Sequence, residues 1–169
     1  AALRGLPIEA LYASPLRRAM ETAQPVAEAL GLPIQTDPRL VEIHAGVFQD
    51  QLRSQLEGLF PEEIARWRSG DPDFVIPGGE SRRRLMERGR DAFQAILQSG
   101  HQRVAVVSHG GLMAAVLKSL LEIPAGRHPF DFDNGSISQL AVDGKQVKLL
   151  TLNQTDHLRD VASGVSGDL

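Results

Sequence analysis

The stretch Arg103-Val-Ala-Val-Val-Ser-His-Gly-Gly-Leu112 constrains the fold more than any other part of the chain. A short apolar run, Val104 to Val107, stops at Ser108-His109-Gly110-Gly111. A helical pattern then follows at once through Leu112, Ala115, Val116, Ser119 and Leu120. That order predicts a buried strand, a tight turn and a helix start. In open α/β sheets, ligands bind at the carboxyl ends of strands, and a helix N-terminus offers free N–H groups to anions. His109 therefore stands where a phosphate would bind. A hydrogen-bonded turn histidine is an equal alternative on this segment alone.

A chain of 169 residues can bury the core of one domain. Its 42% hydrophobic and 23% charged content is that of an ordinary globular protein. A formal charge of -3 gives no electrostatic ground for a nucleic-acid or anionic-membrane partner. No apolar run is long enough to span a bilayer. The absence of cysteine excludes disulfides and Cys-based zinc sites. It also fits a reducing compartment, and a cytoplasmic protein is expected.

Along the chain, Ile8 to Ala13 reads as a strand. Ser14-Pro15 follows, with Ser14 expected as N-cap and Pro15 as the first helical residue. Leu16, Ala19, Met20, Ala23, Val26, Ala27 and Leu30 recur at helical spacing, with Pro25 inside and Gly31 closing the helix. Ile34 to Thr36 is a short strand. Residues 37 to 80 are irregular and rich in Pro and Gly, with short helices expected around Asp50–Leu56 and Pro61–Trp67. A region of this kind between core elements suits a lid or substrate-facing insert, which Trp67 either lines or packs beneath. Ser81 to Ser99 is the clearest helix, with Leu85, Gly89, Ala92, Phe93, Ile96 and Leu97 on its apolar face and Gly100 at its cap. After the loop Gly126 to Asp133, Ser136–Val142 and Gln146–Leu152 form a hairpin around Asp143-Gly144 and a lysine. Residues 1–158 are expected to form a single domain, and 159–169 a polar tail. The alternation of strand and helix predicts an α/β sandwich with a mostly parallel sheet and an antiparallel edge.

If both helix-opening turns leave one sheet edge, Arg17 and Arg18 come near His109. A cation in a first helical turn opposes the helix dipole and calls for a reason. Two solvated arginines are the alternative, a better one for Arg17 than for Arg18. Glu42, in Leu40-Val-Glu-Ile-His-Ala-Gly46, is a third candidate, flanked by apolar residues in an irregular stretch.

Ser14-Pro-Leu-Arg-Arg18-Ala19-Met-Glu-Thr22-Ala23 resembles the Ser-x-Leu-x-Arg-Ala-x-x-Thr-Ala motif of the histidine phosphatase superfamily, which includes the cofactor-dependent phosphoglycerate mutases. Leu40 to Gly46 resembles its proton-donor segment, Pro77-Gly-Gly-Glu80-Ser81 a loop before its long helix, and Ser108-His109-Gly110-Gly111 its second histidine motif. Asn134-Gly-Ser136-Ile-Ser138 and Leu152 to Leu158 match in order. The resemblance implies a three-layer α/β/α sandwich of the phosphoglycerate mutase type. It further implies phosphoryl transfer to a histidine, with no cofactor and no metal. In that scheme Arg18, His109 and Gly110 bind the phosphoryl group and Glu42 gives and takes the proton. The substrate is then a small phosphorylated metabolite.

The family's defining Arg-His-Gly, which carries the nucleophile, does not occur in this sequence. His44, His101, His128 and His157 do not follow apolar strands. Ala1-Ala-Leu-Arg-Gly5 reads as the tail and cap of a helix. The missing strand and helix are therefore expected upstream of Ala1, and the fragment is expected to be inactive by itself. A phosphatase of small metabolites is the leading reading. A mutase is the alternative among enzymes, and a non-catalytic phosphate-binding module the alternative if Ala1 is the true start. Arg82, Arg83 and Arg84 either meet a second acidic group of the substrate or form a solvated helix face.

Overall fold

The computed structural model describes residues 2–124, 127, 129–144 and 146–159. Ala1, Gly126, His128, Lys145 and the expected tail from 160 onward lie outside the described residues.

Strand β1 (Ala10–Ala13) is flanked by two parallel partners, β2 (Ile34–Thr36) and β3 (Val104–Val107), in the order β2-β1-β3. Ala10, Leu11 and Ala13 are buried, as a strand covered on both faces requires. Successive side chains alternate between faces. Tyr12, Val104 and Val106 meet the packed cluster of Leu40, Leu85, Ala92, Phe93, Ile96, Leu112, Ala115 and Val116. Helix α1 (Arg17–Leu30) contacts all three strands and buries a stripe of small residues, Ala19, Ala23 and Ala27. A cluster built by two other helices, α4 (Arg82–Leu97) and α5 (Gly110–Leu120), covers the Tyr12 side. The α/β architecture expected from the alternation of elements is present.

Ser14 is not the cap of α1. Its N–H donates to the Val107 carbonyl at 2.9 Å, which prolongs the β1–β3 ladder by one rung. The helix therefore starts at Arg17, with Leu16 at the cap position. The other end follows expectation: Gly31 closes α1 at φ 68 with its N–H on the Ala27 carbonyl. Pro25 sits inside α1 without ending it.

Ser81 caps α4 by accepting the Arg84 N–H at 3.2 Å. The expected apolar face of α4 is buried except for Leu97, its last residue, which is 44% exposed. The insert carries α2 (Arg53–Leu59) and α3 (Pro61–Arg68). Helix α2 starts later than expected because Asp50 adopts φ 60, a conformation no helix interior accepts. The insert is fastened where residues 44–46 cross residues 77–79. Glu80 N–H donates to His44 O at 3.0 Å, and Val47 N–H donates to Pro77 O at 3.0 Å.

Strands β4 (Ile137–Asp143) and β5 (Gln146–Gln154) form the expected hairpin, with Asp143 opposite Gln146 and Gly144 at φ 56. They hydrogen-bond as an antiparallel sheet of their own. Among the described residues, the second edge of β3 pairs with no strand. Residues 2–5 form turns, with Gly5 at φ 84. Among the described residues no helix is long and apolar enough to cross a membrane.

The crossing at residues 44–46 gives a test of the fold. A Cβ on Gly79 would lie 2.2 Å from His44 O and 2.8 Å from Gly46 N, both backbone atoms. Gly79→Ala is expected to lower unfolding free energy by about 1–3 kcal/mol, the usual cost of overpacking. Urea unfolding checks this, and an unchanged midpoint would show that the crossing yields.

Candidate active site

Because β1 and β3 are parallel and paired through Ala13 and Val107, the turns that follow them leave the same sheet edge. One turn carries Ser14 and Arg18, the other His109 and the first residues of α5. His109 occupies the cap position of α5 in an extended conformation and is only 8% exposed.

Both ring nitrogens of His109 are engaged. Arg18 Nε donates to Nδ1 at 3.2 Å. A guanidinium has donors only, so Nδ1 accepts and the ring is neutral, with its proton on Nε2. Nε2 lies 2.8 Å from Ser14 Oγ and donates to it. The same oxygen accepts the Leu16 N–H at 3.3 Å. Burial, then the nearby Arg18 charge, holds the His109 imidazole below the ordinary histidine value, Glu42 opposing and Arg88 adding to the shift. Arg17, by contrast, turns outward to Glu21 at 2.7 Å. Of the two candidate arginines, only Arg18 reaches His109.

Glu42 joins the cluster through the main chain. Its Oε1 accepts the Ile43 N–H at 2.8 Å, and its Oε2 accepts the Gly111 N–H at 2.9 Å. The carboxylate thus caps α5, one residue away from Gly110. A side chain at 111 would forbid this, since a Cβ there would sit 2.5 Å from Glu42 Oε1. Gly110, as the first residue of α5, has an N–H without an intrahelical acceptor. Phe132 lies beside it, 3.6 Å from where a Gly110 Cβ would stand.

The main chain around Glu42 is held from α4. Arg88 donates to the carbonyls of Arg39, Val41 and Glu42, and to both oxygens of Glu80. Glu80 also accepts the His44 N–H at 2.9 Å.

Sequence reasoning therefore brought Arg18, Glu42, His109 and Gly110 to one place, and the structure keeps them there. It missed Ser14, Gly111, Glu80 and Arg88. The second glycine of Ser108-His109-Gly110-Gly111 was the available signal for Gly111. Ser14 was legible as a polar strand end but was assigned to the wrong partner. Arg88 carried no signal among the many arginines of its helix. Of the Arg82–Arg84 run, Arg82 is buried, with its guanidinium 3.3 Å from the centroid of the Trp67 ring. It donates to Trp67 O at 2.8 Å, and burial pushes its pKa down to about 10. Arg82 and Trp67 pack the insert onto α4, Arg83 pairs with Asp73, and Arg84 is exposed. His44, His101 and His157 are exposed, and none of them bonds to Arg18, Glu42 or His109. Among the described residues, no three His, Asp or Glu side chains gather to hold a metal ion.

A guanidinium and a helix N-terminus beside one imidazole are groups that can hold an anion. A carboxylate beside it can carry a proton. The neutral His109 has a measurable consequence. A histidine whose charged form is disfavoured in the fold adds stability above its ordinary value of 6.5, and that stability is lost as pH falls below it. Between about pH 7.5 and about pH 5, where imidazole changes charge, the parent protein is expected to lose more stability than His109→Gln. Urea unfolding at the two pH values checks this. Parallel losses would place a charged ring in the fold.

A family model described as histidine phosphatase superfamily (branch 1) matches residues 1–155. Phosphoserine phosphatase 1 of Hydrogenobacter thermophilus is 30% identical over 153 residues, which are 89% of this chain and 72% of that protein. Phosphoglycerate mutase-like protein 4 of Arabidopsis thaliana is 34% identical over 170 residues, covering 95% of this chain and 72% of its own length. Among solved structures, the mycobacterial glucosyl-3-phosphoglycerate phosphatase in complex with inorganic phosphate superposes with a TM-score of 0.78. It is 30% identical and covers 88% of this chain and 78% of that one.

Proposed function

The chain belongs to the histidine phosphatase superfamily, and from that premise we propose that its site serves the metal-independent hydrolysis of small phosphomonoesters through a phosphohistidine. The observation that carries the reading is the convergence of Arg18, His109 and Glu42 on the N-terminus of α5. The phosphatases among its relatives, one of them solved with inorganic phosphate, support it.

The sequence holds no Arg-His-Gly. The proposal places the nucleophilic histidine on a strand N-terminal to these residues, laid against the edge of β3 that pairs with no strand among the described residues. An open edge beside a buried sheet is costly, and a further strand removes that cost. By themselves the 169 residues would then bind phosphate without turning an ester over.

In the reaction, the histidine nitrogen attacks phosphorus as the bond to the leaving oxygen breaks. Charge on the equatorial oxygens is met by Arg18 and the Gly110 N–H, and by His109 once Arg18 has left Nδ1. The ring then carries its proton on Nδ1 and donates it, while Nε2 accepts from Ser14 Oγ. A phosphoryl oxygen is a stronger acceptor for a guanidinium than a neutral imidazole nitrogen, so substrate takes Arg18 over from Nδ1. Glu42 protonates the leaving oxygen. It then takes a proton from the water that attacks the phosphohistidine and releases phosphate.

In the intact protein, Glu42→Gln is expected to slow hydrolysis of ethyl phosphate by about a hundredfold or more, and that of nitrophenyl phosphate far less. Nitrophenolate leaves without a proton, so equal losses would remove the acid role. Brief mixing with labelled phosphomonoester and an alkaline quench is expected to leave acid-labile label on the intact protein. No label would turn the reading toward a phosphate-binding module. The mutase-like relative matched over 95% of this chain supports a second reading, phosphoryl transfer between hydroxyls of a phosphoglycerate. Activity that requires bisphosphoglycerate would favour it.

A further inference from the structure

We propose that Arg88 is the positioning residue for Glu42, a role that rests on the reading of Glu42 as proton donor. A guanidinium has five N–H donors, and Arg88 spends each on a different acceptor contact. Nη1 donates to Arg39 O at 2.8 Å and to Val41 O at 2.7 Å. Nη2 donates to Glu42 O at 2.9 Å and to Glu80 Oε1 at 2.6 Å, and Nε donates to Glu80 Oε2 at 3.1 Å.

Three of the five acceptors are main-chain carbonyls within residues 39–42. That segment has no strand or α-helix to hold it: a single 3-10 turn, Pro38–Leu40, precedes Glu42, and residues 41–45 have no regular structure. Without a ladder of its own, the segment is held by the buried Leu40 side chain, by Ser108 Oγ donating to Leu40 O at 2.8 Å, and by the guanidinium, which alone spans Arg39, Val41 and Glu42. Glu80 fixes that guanidinium by a paired contact and extends the hold to the far side of Glu42 through the His44 N–H at 2.9 Å. Both side chains are well shielded, at 18% and 8% exposed. The Glu42 carboxylate is set from the other end by Gly111 N–H. Among the described residues Arg88 donates to no phosphate-binding side chain. Its charge is felt at His109, and Arg88→Lys keeps that charge, so what the exchange alters is where Glu42 stands.

Lysine keeps the charge but has three donors on a single nitrogen and no planar fork. Arg88→Lys therefore leaves at least two of the acceptors without a donor and lets the segment shift. A displacement on the scale of an ångström costs on the order of a hundredfold in rate. In the intact protein, Arg88→Lys is expected to slow ethyl phosphate hydrolysis by about that factor and nitrophenyl phosphate hydrolysis little. The double variant with Glu42→Gln is expected to be no slower on ethyl phosphate than Glu42→Gln alone. Glu80→Gln, which keeps shape and loosens the anchor, is expected to give a weaker form of the same selectivity, and it serves if Arg88→Lys does not fold.

Equal losses on the two esters, or losses that multiply in the double variant, would overturn the positioning role while Glu42→Gln stayed selective. If Glu42→Gln is itself unselective, the acid reading fails first and the positioning role falls with it. A merely structural arginine would lower thermal stability and both activities together.

Discussion

Parallel pairing of β1 with β3 runs from Ala10 opposite Val104 to Ala13 opposite Val107, and Ser14 adds one more rung on Val107. That last rung decides the geometry of the site. It keeps Ser14 in the sheet and delays α1 to Arg17. It also delivers the Ser14 hydroxyl to His109 at 2.8 Å, across a gap of ninety-five positions in the chain. With Ser14 on Nε2 and Arg18, four positions on, on Nδ1, His109 is held at both ring nitrogens by one strand end. The tautomer then follows from chemistry alone, since a guanidinium on Nδ1 leaves Nε2 as the only place for the proton.

The α5 N-terminus is the second fixed feature. Its glycines let a carboxylate from a loop approach as a side chain would not, and Glu42 uses that approach to reach Gly111. The sheet edge and the helix end thus draw three distant segments together. None of the three needs to be rigid alone, because each is pinned by a group belonging to another.

The sequence spoke clearly where periodicity and chain order carry information. An apolar run ending in Ser108-His109-Gly110-Gly111 specified strand, turn and helix, and an Asp-Gly pair specified the hairpin. Arg18 and Glu42 were legible as candidates because each is out of place, a cation in a first helical turn and a carboxylate among apolar neighbours. What was not legible are side chains whose partners are carbonyls. Arg88 contacts Arg39, Val41 and Glu42 through main-chain oxygens, which every residue has, so no pattern of residue types announces it. Arg82 shows the converse. It belongs to a charged run that reads as a solvated face, yet it is buried against Trp67. Only the packing of the insert separates Arg82 from Arg84.

The charges of Arg88 and Arg18 are matched in different ways. The charge of Arg88 is matched by Glu80 at 2.6 Å and spread over three carbonyls, so little of it is offered to a ligand. A shielded pair of this kind adds little net stability, yet removing one member costs about 3–5 kcal/mol because the other is stranded. Its presence is better understood as fixing one path for residues 39–42. Arg18 is exposed, and among the described residues its Nε bonds a neutral imidazole nitrogen. It is therefore the cation whose partner a phosphoryl oxygen can replace at a gain. Neutral His109 brings no second full charge, its one ring proton being donated to Ser14 Oγ, and Glu42 sits nearby bonded to main-chain N–H groups.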